Sequence, residues 1–130
     1  MKQILPALFS LAACQQADET LAGHGALGQW QLTEINGSAF TAAAMITFHD
    51  DGTVTGRAPC NSFGATQSAP YPWFELSPIR ATKRACNDLS AESAFLTALQ
   101  NMTLSEVSGN ILILSNDTGQ TMEFIAVPAQ

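Results

Sequence analysis

In the stretch LGQWQLTEI, Trp30 and Leu32 fall on one face of an extended chain and Gln31 and Thr33 on the other. That period of two marks a half-buried strand, and Asn36-Gly37 ends it with turn chemistry. In MITFHDDGTVTG, Ile46 and Phe48 alternate with Thr47 and His49. Asp50-Asp51-Gly52 supplies a turn and Thr53 to Thr55 are β-formers running back, which predicts a hairpin. Pro70, Pro72 and Pro78 then deny a helix to the next segment, although Trp73 to Ile79 can still run as a strand. Beyond it Ala91, Phe95, Ala98, Leu99 and Met102 recur at helical spacing, with Ser90 placed to cap and Glu92 suited to the first turn. The end is β again. Thr103 to Val107 forms a strand, Ser108 to Asn110 a turn, and Ile111 to Leu114 a continuous apolar run, the mark of a strand buried on both faces. Asn116 to Gly119 turns the chain, and Thr121 to Val127 pairs back.

The chain has 130 residues, enough for one domain with its own core. Hydrophobic residues make up 46% and charged residues 12%, the balance of a folded chain. A net charge of -6 with five basic residues argues against a nucleic-acid partner, which needs clustered Lys and Arg. Arg80, Lys83 and Arg84 sit together and read as a solvated strand or loop.

The apolar segment from Ile4 to Ala13 is about half the length of a membrane-spanning helix and fits the h-region of a signal peptide, with Lys2 as its positive flank. It ends in Leu11-Ala12-Ala13-Cys14, followed by the polar residues Gln15, Gln16, Asp18, Glu19 and Thr20. This border resembles the lipobox of bacterial lipoproteins, in which an apolar residue and two small ones precede a Cys. The resemblance implies lipidation at Cys14 and cleavage before it. Small side chains let the extended backbone enter a peptidase cleft, the thiol accepts a diacylglyceryl group, and the freed amine can be acylated. Three acyl chains exceed what stable membrane anchoring needs. The expected organisation is a signal peptide over residues 1–13, a polar tether over 14–26 and a domain over 27–127. Without residues 1–13 the chain keeps four basic and eleven acidic side chains, a charge of -7. The expected location is the bacterial cell envelope, facing the periplasm, with the membrane as partner through the N-terminal lipid. Gln15 rather than Asp after the Cys favours the outer membrane under enteric-type sorting. Cys60 and Cys86 remain, and an even pair in an exported chain suggests a disulfide. The rival reading is two reduced cysteines packed as small apolar groups.

Several residues together resemble the META domain family, to which the heat-shock protein HslJ belongs. They are Trp30 and Leu32 with Asn36-Gly37, ITFHDDGTVTG, Cys60-Asn61 with Phe63 and Gly64, Thr82 before Cys86, and Glu92 with Phe95 and Leu99, closed by GNILIL and MEF. Pro59 stands where the family usually has Gly, and Lys83 and Arg84 where a Met is common. The resemblance implies an α+β fold, mainly antiparallel β-sheet with one packed α-helix near residues 90–102. Such domains occur in exported bacterial proteins linked to envelope stress, heat shock, motility or secretion. The resemblance supplies no catalytic mechanism.

Candidate chemistry is sparse. His49, Asp50 and Asp51 could hold a metal weakly, but neighbours on a strand point to opposite faces, and Asp with Gly is what a tight turn wants. Cys60 could be a nucleophile with His49 as its base, against the disulfide reading. No nucleophile motif surrounds any Ser, no glycine-rich phosphate loop opens the helix, and no spacing shows two converging carboxylates. The expectation is a domain without catalytic residues, metal or cofactor, serving as a binding or stress-protective module. The alternative is an exported hydrolase. In APYPWFEL, Pro70 and Pro72 hold the backbone extended. Trp73 and Phe74 must face opposite ways, so at least one is core, and Tyr71 and Trp73 form a candidate surface for an envelope protein partner.

Overall fold

A computed structural model describes residues 19–128. Its strands are β1 (Gly28–Ile35), β2 (Ser38–Ala39), β3 (Met45–Phe48), β4 (Thr53–Arg57), β5 (Ser62–Thr66), β6 (Arg80–Ala81), β7 (Leu104–Ser108), β8 (Ile111–Ser115) and β9 (Thr121–Ala126). One α-helix, α1 (Leu89–Asn101), lies among the described residues. The fold is α+β, an antiparallel sheet in the order β6-β5-β4-β3-β1-β9-β8-β7, with β2 paired to β1. The first and last strands meet at the centre, Trp30 opposite Ala126 and Leu32 opposite Phe124.

The predicted turns form from the residues that specify them. Asn36 and Gly37 both take positive φ, 53° and 80°, the pair of conformations a two-residue hairpin demands. Asn36 also accepts the N–H of Thr121 on its side-chain oxygen, at 2.9 Å. At the β3–β4 turn, Asp51 Oδ1 accepts the Thr53 N–H at 2.9 Å, an Asx turn, and Gly52 has φ 89°.

One face of the sheet builds the core. Trp30, Leu32, Ile46, Phe48, Val54, Phe63, Leu112, Leu114, Met122 and Phe124 are all buried there. The helix adds Phe95, Ala98, Leu99 and Met102, and Phe95 meets the Phe63 ring edge-on with centroids 5.6 Å apart. The helix begins at Leu89 behind Asp88, one residue before the Ser90 cap that the sequence suggests, so Ser90 lies in the first turn. Leu112 and Leu114 are buried while Ile111 and Ile113 are only partly so. The apolar run of β8 is therefore covered fully on its core face alone, unlike the expected strand buried on both faces.

Trp73 to Ile79 does not run as a strand. Pro72 and Pro78 lack the N–H a ladder needs, and the remaining donors split between two neighbours. Phe74 N–H bonds Thr103 O and Ser105 N–H bonds Pro72 O on the β7 side, whereas Ser77 N–H bonds Thr66 O on β5. The proline segment thus joins the β5 side of the sheet to its β7 edge through single hydrogen bonds.

The described part of the expected tether is folded. Thr20 pairs with Pro70, a 3-10 turn spans Ala22–His24, and Leu21 and Ala26 are buried. Ala26 O accepts the indole N–H of buried Trp30 at 2.8 Å. The packed unit therefore includes residues ahead of Leu27: Leu21 supplies an apolar side chain that burial favours, which the polar residues before it hide in the sequence.

Candidate functional site

The residues with chemistry converge at one knot between the β4–β5 loop, the segment before α1 and the helix itself. Cys60 and Cys86 are joined by a disulfide, with Cα atoms 5.6 Å apart. Glu92, only 5% exposed, points its carboxylate into the β4–β5 loop. One oxygen accepts the backbone N–H of both Cys60 and Asn61 at 2.8 Å each. The other accepts the Asn61 side-chain amide at 2.5 Å.

Asn61, equally buried, behaves like a second peptide group. Its Nδ2 also donates to Arg84 O at 3.0 Å, while its Oδ1 accepts Arg84 N–H at 2.6 Å and the Thr82 hydroxyl at 2.8 Å. Both amide hydrogens and the amide oxygen are thereby used, as burial requires. Among the described residues no buried side-chain nitrogen or oxygen lacks a partner. Cys60-Asn61, Thr82, Cys86 and Glu92 were legible as separate marks; their convergence was not, since Glu92 reads locally as a residue for a helix's first turn. The Arg80, Lys83 and Arg84 side chains are exposed, and Arg84 enters the knot through its backbone alone.

A second feature is a cleft of about 550 Å³ between the β3–β4 turn, the end of β5 and the N-terminal segment. The structure brings His49, Asp50 and Asp51 to its wall, but their groups diverge. His49 Nε2 lies 2.9 Å from Thr55 Oγ1, and Asp51 turns back to Thr53. The backbone N–H of Thr53, with its hydroxyl, holds the Asp51 carboxyl below the usual aspartate range. Cys60 and His49 belong to these two separate features, and the Cys60 thiol is spent in the disulfide. Among the described residues no group of three His, Cys, Asp or Glu converges to hold a metal.

The third feature is the proline ledge. Phe74 is core at 1% exposure and Trp73 is 57% exposed. Tyr71 is half-buried: its ring stacks on His24 with centroids 4.4 Å apart, and its hydroxyl oxygen accepts the Val107 N–H at 3.2 Å. Of the candidate partner surface, Trp73 is exposed and Tyr71 is largely occupied. Cys14 lies outside the described residues.

Residues 20–129 match the META domain. The chain belongs to the META domain family. No sequence among curated proteins matches it. Among solved structures, it is similar to a DUF4847 family protein from Bacteroides vulgatus ATCC 8482, at 18% identity and a TM-score of 0.67, over 81% of this chain and 96% of that one. It is also similar to a protein from Burkholderia xenovorans at 20% identity and a TM-score of 0.65, over 99% of this chain and 96% of that one. At these identities the likeness is one of fold. Of the residues that carried the family resemblance, Cys60, Asn61, Thr82, Cys86 and Glu92 meet in the knot, and Phe63 and Phe95 are in ring contact.

Proposed function

We propose that this META domain protein is a lipid-anchored component of the bacterial envelope, facing the periplasm from the outer membrane, and a binding or stress-protective module instead of an enzyme. The observation that carries the non-catalytic reading is how the reactive groups are employed. The Cys60 sulfur is tied to Cys86, and the Glu92 oxygens accept three N–H groups, two of them on buried Asn61. A base or nucleophile must be able to release its hydrogen bonds to substrate; here release would undo the loop. The anchor rests on Leu11-Ala12-Ala13-Cys14 and the polar residues behind it.

Two experiments test the reading. Cys14→Ser should move the protein from the membrane fraction to the soluble periplasm, and unchanged membrane association would contradict the anchor. The lipidated protein, assayed on ester, amide and glycoside substrates, should show no turnover that His49→Ala or Glu92→Gln alters. Turnover lost in either variant, with the fold intact by circular dichroism, would restore the hydrolase alternative.

A further inference from the structure

Trp73 is a large apolar ring held in solvent on a backbone that is not free to withdraw it. Its N–H donates to Pro70 O at 2.8 Å, its carbonyl accepts Gln67 Nε2 at 3.3 Å, and it pairs with Leu104. Pro70 and Pro72 beside it are exposed as well. The backbone that carries the indole is already ordered, so binding need not order it, and Trp is a side chain suited to the boundary between water and an apolar phase.

The chain's own course says which apolar phase. Tyr71 N–H donates to Glu19 O at 2.6 Å, and Thr20 pairs with Pro70. Glu19 and Thr20 are therefore built into the ledge that carries Trp73, two residues beyond Tyr71. Counting back, four residues separate Glu19 from Cys14, so the Cα of Cys14 lies at most about 18 Å from that of Glu19. So short a connection keeps acyl chains carried on Cys14 within reach of the face around Thr20, Pro70 and Trp73.

We infer that the ledge of Pro70, Pro72 and Trp73 docks on the lipid bilayer, with the Trp73 indole seated at the headgroup boundary. The inference rests on lipidation of Cys14. The clefts on either side of the ledge present Glu19, Asp50, Asp51 and Glu75 and no Lys or Arg, so the attraction is apolar, and zwitterionic lipid is the suitable surface.

The experiment uses the mature lipidated protein in phosphatidylcholine vesicles whose acyl chains carry bromine near the headgroup. Trp30, the second tryptophan, is 2% exposed in the core and serves as an internal control. Wild-type emission should shift to shorter wavelength and lose roughly half of the Trp73 contribution on brominated vesicles. Trp73→Phe should show neither change. Mass and co-flotation with vesicles report lipidation separately. A protein without acyl chains would bring down the anchor and the docking together. A protein that carries acyl chains and floats, yet shows unquenched, solvent-like Trp73 emission, would overturn the docking alone. In that case Trp73 is presented outward, as a protein partner would require.

Discussion

Replacing Glu92 by Ala removes the acceptor for three donors at once. The Asn61 backbone N–H and one hydrogen of its amide lie in a residue only 5% exposed, so water cannot replace the carboxylate there. Cys60 is half-buried, and its N–H can be rehydrated. Two donors left dry cost about 1–3 kcal/mol each. Relief from burying a charge offsets part of this. The expected net loss is about 2–4 kcal/mol, against a total of about 5–15 kcal/mol for a domain of this kind. Glu92→Gln keeps the oxygen that serves the two backbone groups but turns an N–H toward the Asn61 amide. That amide cannot flip to meet it, because its own oxygen already holds Thr82 and Arg84. A loss of about 1–2 kcal/mol follows. Urea unfolding at neutral pH, with the disulfide intact and m unchanged, measures both. A double-mutant cycle with Asn61→Ala should give a coupling above about 1 kcal/mol. A loss under about 0.5 kcal/mol for Glu92→Ala, the size of an ordinary surface change, would refute the view that this carboxylate holds the loop to the helix.

Opening the Cys60–Cys86 bridge, which spans a sequence separation of 26, should cost about 3.5 kcal/mol in the chain-entropy model, and reductant should lower the urea midpoint accordingly. Phe95→Ala should cost about 3–5 kcal/mol, since Phe95 is fully buried against Phe63 and Phe40; a smaller loss in the same titration would mean the helix packs loosely. Gly56→Ala should destabilise by about 1–3 kcal/mol, because a Cβ there runs into the Phe63 ring and the Met45 carbonyl. An NMR titration should find the Asp51 carboxyl below the ordinary aspartate value. Because its folded value is depressed, the stability it contributes is present above the ordinary value and lost as pH falls through the lowered one; Asp51→Asn should remove that component of the acid dependence.

Much of the sheet was legible because its strands have one wet face. Trp30 with Leu32 and Ile46 with Phe48 announce it by alternation, and Asn36-Gly37 and Asp51-Gly52 announce its turns. The helix followed from Phe95, Ala98, Leu99 and Met102. What escaped lacks a local signature. The proline segment is held through single bonds to partners on two sides, and no period records that. Leu21 follows a polar stretch, so residues 19–26, which are folded, passed as tether. The Asn61–Glu92 contact joins residues thirty-one apart in sequence, and only tertiary structure turns a residue suited to a helix start into the acceptor for a loop. Trp73 and Phe74 were seen to face opposite ways, while which of them is buried depends on Thr103 pairing with Phe74.

The mass spectrum of the N-terminal peptide of the protein extracted from bacterial membranes tests the account most directly. The proposed anchor predicts that the mature chain begins at Cys14 and carries the added mass of a diacylglyceryl group and an N-linked acyl chain, with the precursor accumulating under globomycin. A mature chain that begins elsewhere, or that carries Cys14 unmodified, would contradict it.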